Sequence, residues 1–233
     1  MRNLGSVKTV AIIPAAGSGI RMESKRAKQF LSLDGKPILA LTLEPFQEST
    51  VDAIILVVPL DDLEYCKKEI VERFGFTKVK KIVPGGKWRQ DSVRFGLEAT
   101  EGKYDLVLIH DGVRPLIEKR LIERVIKEAM VNRAVITALP AKETVKEVND
   151  LRDVVKTYDR KRVWMVQTPQ AFRYQDILNA HHKALKQGWE EATDDALLVE
   201  KSGITVKVVE GSEKNIKVTT PDDLELARLL LRS

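Results

Sequence analysis

Short apolar runs and longer amphipathic stretches alternate along almost the whole chain. The apolar runs are rich in Val and Ile and nearly free of polar residues, which is typical of parallel strands buried on both faces. They predict six strands, at Val10–Ile13, Ala53–Val58, Val79–Val83, Leu106–Ile109, Ala134–Leu139 and Ile204–Val209. We therefore expect a sheet whose two faces are both covered.

The segments between these runs carry helical patterns. Pro37 suits a first helical position, and Gly75 follows the end of a segment that opens with paired acids. The predicted helices are Pro37–Phe46, Asp61–Phe74, Asp91–Ala99, Glu118–Val131, Tyr174–Lys186 and Pro221–Leu231. Alternation of strand and helix predicts an α/β fold with a mostly parallel sheet. A chain of 233 residues is expected to form a single domain over residues 1–233.

One segment breaks this alternation. Residues 141–158 read AKETVKEVNDLRDVVKTY, and the pair Asn149-Asp150 separates two stretches of partial polar and apolar alternation. The pattern indicates a β-hairpin, and the segment is too polar for a buried crossover. We interpret it as a projecting β-arm; an exposed loop with incidental alternation is the alternative.

Composition and charge exclude several classes of protein. Hydrophobic residues make up 43% of the chain and charged residues 31%, a balance that disordered chains do not have. Cys66 is the single cysteine, so a disulfide framework and a Cys-rich metal site are excluded. The net charge of +5 is spread over 39 basic and 34 acidic residues that are interleaved, which argues against nucleic acid as a partner.

The sequence also argues against a membrane location. Its longest unbroken apolar stretch, Ala53 to Leu60, is far shorter than the ~20 residues of a membrane span. The first residues, MRNLGSVK, contain no apolar signal-peptide core. We expect a cytoplasmic protein with no membrane partner.

The loop after the first strand, Pro14 to Met22, reads PAAGSGIRM. Its glycines and small residues let the backbone approach a ligand and direct N–H groups at an anion. It is neither common phosphate loop, since Met22 replaces the third glycine of the dinucleotide fingerprint and no Gly-Lys-Ser/Thr tripeptide follows. Four cations crowd this segment: Arg21, Lys25, Arg26 and Lys28. The crowding favours a polyphosphate ligand; a solvated basic loop is the alternative.

A second glycine-rich loop follows the third predicted strand, at the sheet edge where open α/β sheets bind ligands. Gly85 and Gly86 permit close approach of a ligand, and Ser92 can bond it from the first turn of the next helix. A tight turn followed by a helix cap is the alternative.

An acid stands at the end of the fourth predicted strand. Asp111, beside Gly112, is suited to hold Mg²⁺ against phosphates. A metal-dependent phosphohydrolase dyad of His110 with Asp111 would need more histidine ligands. The remaining histidines, His181 and His182, are neighbours on a predicted helix and do not share a face.

Three later motifs are weaker on their own. Gln167 to Gln170 reads QTPQ, and Thr193 precedes two acids, where it can simply cap a helix over Asp194–Glu200. Lys217 lies inside a short apolar run, where a buried cation needs an anionic partner.

Taken in order, the motifs AAGSGIRM, RAKQF, GGKWRQDSV, HDGVRPL, QTPQAF, ATDDA and NIKVTTPDDL closely resemble those of the 2-C-methyl-D-erythritol 4-phosphate cytidylyltransferases. The first motif alone marks only the wider sugar-nucleotidyltransferase superfamily. The resemblance runs from about Val10 to Leu230.

This resemblance implies a Rossmann-like α/β domain of the nucleotide-diphospho-sugar transferase type, with the β-arm clasping a second subunit in a homodimer. It implies transfer of CMP from CTP to 2-C-methyl-D-erythritol 4-phosphate (methylerythritol phosphate below), with release of pyrophosphate and Mg²⁺ as cofactor. Arm residues would reach the site of the partner subunit, so the site would need the dimer.

The resemblance also assigns roles by motif. The transition state at the α-phosphorus would be stabilised by Arg21 and Lys28. The nucleotide would be bound by Ala15, Ala16, Gly17, Gly19, Gly86, Arg89, Ser92, Asp111 and Lys217, with Asp111 also contacting the metal. Methylerythritol phosphate would be bound by Arg114, Thr144, Arg160, Thr168 and Thr193.

Two departures from the family pattern stand out. Ala27 replaces the usual proline before Lys28, and Lys87 stands where some members carry an acid that contacts the ribose, so Lys87 receives no role. A ribitol-5-phosphate cytidylyltransferase is the nearest alternative, but those enzymes tend to carry AGG in the first loop and Asn-Glu-Thr after the second glycine pair. A nucleotide-binding regulator without catalysis is an alternative of another class.

Overall fold

The computed structural model describes residues 7–17, 27–189 and 192–232. The strands are β1 (Thr9–Pro14), β2 (Ser32–Leu33), β3 (Lys36–Pro37), β4 (Ala53–Val58), β5 (Val79–Pro84), β6 (Leu106–Ile109), β7 (Ala134–Pro140), β8 (Lys146–Val148), β9 (Val154–Thr157), β10 (Trp164–Arg173) and β11 (Val206–Glu210). The helices are α1 (Ile38–Glu48), α2 (Leu63–Tyr65), α3 (Arg89–Ala99), α4 (Lys119–Val131), α5 (Tyr174–Gln187), α6 (Asp195–Glu200) and α7 (Pro221–Arg232).

Seven of the strands form one sheet in the order β11-β7-β10-β6-β1-β4-β5. Strand β1 pairs in parallel with β4 and β6, so that Ile12 lies opposite both Ile55 and Ile109. Strand β10 is antiparallel to both of its neighbours, whereas the other pairs are parallel. The prediction of an α/β fold with a mostly parallel sheet is confirmed.

The six predicted strands all form, and two of them have the predicted bounds, Ala53–Val58 and Leu106–Ile109. All residues of both strands are buried, because continuous apolar runs are stable only where both faces of a strand are covered. The sequence analysis missed β10. Its middle is polar and contains Pro169, and its pairing with β7 shifts register between Gln167 and Gln170.

Helices cover both faces of the sheet. Alternate residues of β1 belong to different cores: Ala11 and Ile13 pack with α1 and α4, whereas Val10 and Ile12 pack with α3 and α5. Helix α4 shows why the helices pack against the sheet. Its buried residues recur at helical spacing and form one apolar face: Leu121, Ile122, Val125, Ile126 and Ala129. Full burial of one such Leu or Ile contributes about 1.5–3 kcal/mol.

The helix predicted over Asp61–Phe74 is irregular. A 3₁₀ turn at Leu60–Asp62 leads into α2, and a π-helical turn follows at Cys66–Glu72. Within that turn Cys66 and Ile70 are the buried residues. Burial raises the pKa of the Cys66 thiol to about 12, so this cysteine is not a nucleophile at neutral pH.

The segment predicted as a β-arm contains an antiparallel hairpin of β8 and β9. The side-chain oxygen of Asn149 accepts hydrogen bonds from the N–H groups of Leu151 and Asp153 and so closes the turn. All residues of both strands are exposed. The hairpin prediction is confirmed, whereas a second subunit in contact with it stays a prediction.

Within the described parts of the chain, no helix combines the length and the apolar character that crossing a bilayer requires.

Candidate functional site

Three loops meet where the parallel strands end. The N–H of Ala15, after β1, donates to the carbonyl of Val57 in β4 at 2.7 Å. The N–H of Gly112, after β6, donates to the carbonyl of Pro14 at 3.0 Å. Because the carboxyl ends of parallel strands share one edge of the sheet, ligand-binding loops are brought together there.

Close packing between these loops explains why two positions, Gly85 and Gly112, have no room for a side chain. A Cβ atom on Gly85 would lie 2.2 Å from the Cβ of Ala16, and one on Gly112 would lie 2.7 Å from the Cβ of Ala15. A Cβ on Gly17 would meet nothing within 4 Å among the described residues, so its backbone faces open space in that part of the chain. The loops are therefore packed against one another, and Gly17 borders a space that a ligand can enter.

This space is a cleft of about 450 Å³, called here the glycine cleft. Its described lining residues include four cations, and Asp111 is the one acid among them. The lining consists of Pro14, Ala15, Ala16, Gly17, Lys28, Gln29, Gly86, Lys87, Trp88, Arg89, Ser92, Asp111, Val113 and Lys217. The excess of positive charge suits a polyphosphate.

A second cleft of about 370 Å³, called here the threonine cleft, adjoins the first. Its described lining consists of Arg89, Asp111, Arg114, Ile136, Val166, Gln167, Thr168, Gln170, Thr193, Asp194, Leu197, Glu200 and Lys217. The two clefts share Arg89, Asp111 and Lys217. Two ligands bound side by side would therefore meet at these three side chains.

Asp111 is the centre of a charge cluster at this shared wall. Its Oδ1 accepts from Nε of Arg89 at 3.0 Å, and its Oδ2 lies 3.0 Å from Nζ of Lys217 and 3.5 Å from Nε of Arg114. Burial alone raises the pKa of Asp111, but the charges of Arg89, Lys217 and Arg114 outweigh it and hold the pKa well below its usual range. Asp111 is therefore ionised and fixes three cations.

A buried hydrogen-bonded chain supports Asp111 from behind. The N–H of Asp111 donates to Oγ1 of Thr168 at 3.1 Å, and that hydroxyl lies 3.0 Å from Nδ1 of His110. Burial, and then the charge of Arg114, lower the pKa of His110 to about 3. The neutral ring accepts from Thr168 through Nδ1 and donates from Nε2 to the carbonyl of Arg114, 3.4 Å away.

The second glycine pair is positioned by α3. The N–H of Gly86 donates to Oγ of Ser92 at 3.1 Å, and Oγ donates to the carbonyl of Trp88 at 3.2 Å. The Gly86 N–H is thus engaged within the loop in this structure. Arg89 is the first residue of α3, and this places its side chain at the wall that the two clefts share.

The structure brings together most of the predicted site residues. In the glycine cleft lie Ala15, Ala16, Gly17, Lys28, Gly86, Arg89, Ser92, Asp111 and Lys217, and in the threonine cleft lie Arg114, Thr168 and Thr193. Gly19 and Arg21 are outside the described residues.

Two predicted residues lie elsewhere on the chain. Thr144 and Arg160 are exposed at the base of the arm and line neither cleft. Arg160 instead donates from Nη1 to the carbonyl of Lys142 at 3.0 Å.

Two interpretations from the sequence need correction, the cap of α6 and the burial of Lys217. The cap of α6 is Asp194, whose side chain accepts from the N–H of Leu197 at 3.0 Å, and not Thr193. Lys217 is not buried, because 39% of its side chain is exposed. It does have the anionic partner that was expected of it, in Asp111.

Sequence reasoning missed two residues behind Arg89. Asp195 accepts from Nη1 of Arg89 at 2.7 Å through Oδ2, and its Oδ1 lies 3.1 Å from Nε2 of His181. The sequence contained one signal for Asp195. Asp194 alone suffices to cap α6, so the second acid is not needed for the cap. His181 also shares the apolar face of α5 with Ile177 and Ala184, an unusual place for a polar side chain.

Among the residues that the structure describes, the clefts contain no preformed cage for a metal ion. In the described ranges no three His, Cys, Asp or Glu side chains come together as metal ligands. Mg²⁺, however, usually takes one or two carboxylates and completes its shell with phosphate oxygens and water. Asp111, at the wall of a cation-lined cleft, fits that mode of binding.

A loop with glycine at the carboxyl edge of a parallel sheet opens on two adjoining clefts, an arrangement that can hold a nucleotide beside a second ligand, and comparison shows the class to be the α/β nucleotidyltransferases. The particular family follows from comparison with known proteins. The family described as IspD, 2-C-methyl-D-erythritol 4-phosphate cytidylyltransferase, matches residues 9–233. The chain belongs to this family.

Known relatives are similar over nearly their whole length. A 2-C-methyl-D-erythritol 4-phosphate cytidylyltransferase of Syntrophus aciditrophicus is 47% identical over 226 residues, which are 97% of this chain and 96% of the relative. One of Geobacter metallireducens is also 47% identical, over 95% of this chain and 97% of the relative.

A solved structure gives the same picture. The 4-diphosphocytidyl-2C-methyl-D-erythritol synthase of Anaerococcus prevotii superimposes with a TM-score of 0.86 at 37% identity, covering 97% of each chain. The resemblance of the motifs to this family, and the Rossmann-like fold that it implied, are therefore confirmed.

Proposed function

We propose that this protein transfers the cytidylyl group of CTP to the 4-phosphate of 2-C-methyl-D-erythritol 4-phosphate, a step in isoprenoid precursor biosynthesis. The products are 4-diphosphocytidyl-2-C-methyl-D-erythritol and pyrophosphate. The observation that carries the proposal is the pair of adjoining clefts, which share Arg89, Asp111 and Lys217, in a chain that belongs to this family.

The reaction is an in-line displacement at phosphorus. An oxygen of the acceptor phosphate forms a bond to the α-phosphorus of CTP, the bond between that phosphorus and the β-phosphate oxygen breaks, and pyrophosphate leaves with the electron pair. Both reactants are anions, so the barrier is largely repulsion and positioning. Fixed positive charges therefore supply most of the catalysis.

The glycine cleft suits the nucleotide. Lys28, Arg89 and Lys217 line it and would neutralise the triphosphate, while Ala15, Ala16 and Gly17 let its backbone approach. Arg21 and Lys28 would stabilise the transition state at the α-phosphorus, as the family motif implies. Ser92 and Gly86, which bond each other, would present the second glycine turn to the nucleotide.

The threonine cleft suits the acceptor. Arg114 lies at its wall with Thr168 and Thr193, and Arg114 is held in place by the carbonyl of Asn215, which accepts from its Nη1 at 2.7 Å. A fixed guanidinium is a good partner for a phosphate group. The acceptor phosphate would then face the nucleotide across Arg89 and Lys217.

We also propose Mg²⁺ as the cofactor, held by Asp111 and by the phosphates of CTP. When bound, the ion would offset negative charge on the triphosphate. The three cations around Asp111 hold the carboxylate ionised, the state in which it can act as a ligand.

We further propose a cytoplasmic homodimer in which the β-arm packs against a second copy. The arm exposes Val148, Leu151, Val154 and Val155 by 52%, 82%, 59% and 61%, and large apolar side chains grouped in this way favour an interface. Thr144 and Arg160, at its base, would complete the threonine cleft of the partner.

The test is pyrophosphate release with each of the four nucleoside triphosphates, against methylerythritol phosphate and against ribitol 5-phosphate. We expect fast release only with CTP and methylerythritol phosphate, and background release when the acceptor is omitted. Faster release with ribitol 5-phosphate would reassign the acceptor. Binding of CTP without release with either acceptor would make the protein a nucleotide-binding regulator.

A further inference from the structure

Arg89 is held between two carboxylates that differ in their access to the clefts. Its Nε donates to Asp111, which lines both clefts, and its Nη1 donates to Asp195 at 2.7 Å. The side chain of Asp195 is 2% exposed, and Asp195 is not among the residues that line either cleft. Asp195 can therefore act on a ligand only through Arg89.

His181 holds Asp195 from the other side. Its ring is fully buried, and Nε2 lies 3.1 Å from Oδ1 of Asp195. Its other ring nitrogen, Nδ1, is buried and has no hydrogen-bond partner in the described structure. Such an unpaired buried group is destabilising. An apolar residue on this face of α5 would avoid the cost, so the bond to Asp195 needs a reason beyond packing.

We infer that Asp195, held by His181, is a positioning residue that sets the orientation of Arg89 at the wall shared by the two clefts. The inference rests on the proposed function, since it assigns Arg89 a place beside the reacting phosphates. The inference gives a role in the proposed reaction to two residues, Asp195 and His181, to which the sequence motifs assigned none.

The geometry explains why two anchors are needed. A guanidinium group is planar and has five N–H donors. One bond, from Nε to Asp111, leaves the plane free to turn about that bond. The second bond, from Nη1 to Asp195, fixes the plane and leaves three N–H donors for ligands. Donors that are oriented before the substrates arrive need no reorganisation during the reaction.

Charge supports the same conclusion. Burial alone raises the pKa of Asp195, but the charge of Arg89 outweighs it, and the pKa lies below its usual range. Asp195 is thus an almost fully buried anion that accepts a charge-assisted bond from Arg89, and burial of one partner strengthens such a bond.

The test is a double-mutant cycle of Arg89→Ala and Asp195→Asn on kcat/KM for pyrophosphate release. Arg89→Ala should lower kcat/KM by about a hundredfold, and Asp195→Asn by about tenfold, because Asp111 still holds Nε. If Asp195 acts through Arg89, adding Asp195→Asn to Arg89→Ala lowers kcat/KM no further. Losses that multiply would overturn the inference.

A second pair of variants separates positioning from a merely structural role. His181→Gln keeps a donor near the place of Nε2, and should retain kcat/KM within about threefold, whereas His181→Phe should lose as much as Asp195→Asn. Equal losses in both, tracking a fall in thermal stability, would contradict the inference.

The matched control is Asp176→Asn. Asp176, in α5, also accepts from an arginine, Arg133, which directly precedes β7, and neither residue lines a cleft. Its loss should leave kcat/KM unchanged.

The cycle is repeated on the dissociation constant of CTP, measured by calorimetry without acceptor. Binding of CTP by the wild type without pyrophosphate release would show that the proposed reaction is wrong, while the cycle on affinity still tests the role of Asp195. Absence of CTP binding would contradict both the proposed reaction and the role of Asp195.

Discussion

The carboxyl edge of the sheet and the β-arm are both polar, but their side chains lie in opposite environments, buried at the edge and exposed on the arm. At the edge, the carboxylate of Asp111 is buried among three cations from the same chain. On the arm, all residues of β8 and β9 are exposed, apolar ones included. At the edge, Asp111 is therefore paired with charges of the same chain, whereas the arm has an exposed surface that includes apolar side chains.

The two regions also differ in the range of their contacts. Asp111 is bonded to residues as far away in the chain as Lys217, whereas the hairpin pairs residues as close as Val148 and Val154. Long-range contacts form only with the whole fold, and local ones form with their own turn. Changes to Asp111 and the three cations bonded to it should therefore affect chemistry and stability together, and changes on the arm should affect assembly and acceptor binding.

The largest effect is expected at the edge, where Lys28 lines the glycine cleft. Lys28→Ala, and Arg21→Ala as the family motif implies, should each lower turnover by about 10²–10³-fold, because each would remove one charge proposed to stabilise the transition state. Arg21→Lys should also lower turnover, since the planar fork is lost. The measurement is kcat for pyrophosphate release, alongside the thermal unfolding midpoint, which should not change.

The control for this experiment is Lys36→Ala. Lys36 forms an ion pair with Glu44 and is 48% exposed, and it lines neither cleft. Near wild-type turnover in Lys28→Ala or in Arg21→Ala would refute the catalytic role of that cation.

A smaller effect is expected at the arm. Arg160→Ala should raise KM for methylerythritol phosphate by about 10- to 100-fold and leave KM for CTP unchanged, because a charge-assisted bond to phosphate contributes about 1.5–3 kcal/mol. The control is Lys146→Ala, which removes only a bond within the arm to Thr157.

Mixing two impaired variants, assayed at a methylerythritol phosphate concentration well below the wild-type KM, then tests whether the arm acts on a second copy. In dimers formed from Arg160→Ala and Lys28→Ala chains, half should be mixed and each mixed dimer should have one intact site. About a quarter of wild-type activity should therefore return. If no activity returns although the chains exchange, the arm does not complete a partner's site.

The smallest effect concerns pH and distinguishes the buried edge from the arm. His110 has a folded-state pKa of about 3 against an ordinary value of 6.5, so below pH 6.5 the unfolded chain binds a proton that the folded chain does not. Stability should fall as pH drops from about 6.5, by up to ~1.4 kcal/mol per pH unit from this group. Asp111 and Asp195, whose pKa values are lowered, contribute only below about pH 4.

The measurement is the free energy of unfolding in urea at several pH values between about 4 and 7. His110→Gln should flatten the slope. An unchanged slope in His110→Gln would show that His110 is not the titrating group.

Much of the fold could be predicted because burial leaves a local signature. Ala53–Val58 and Leu106–Ile109 have the predicted bounds, since strands covered on both faces must be apolar throughout. Strand β10 could not be predicted from such a pattern. Its polar residues Gln167, Thr168 and Gln170 line the threonine cleft, so a site interrupts the periodicity that would have identified the strand.

The same limit applied within the site. The glycine loops and Asp111 could be predicted because each follows a recognisable strand, and Lys28 because it belongs to a crowd of four cations and matches the family motif. The partners of Arg89 could not, because the chain separates it from Asp195 by more than a hundred positions. No spacing rule covers a contact that arises when α3, α5 and α6 pack together.

The amino-acid sequence by itself determined the alternation of strands and helices, the hairpin and the loops that carry the chemistry, because those depend on burial and on nearby residues. The tertiary structure decided which charges meet, namely that three cations surround Asp111 and that Asp195 and His181 stand behind Arg89. The physical reason is that the strength and direction of a charge pair depend on distance and burial, and both are set by the packing of distant segments.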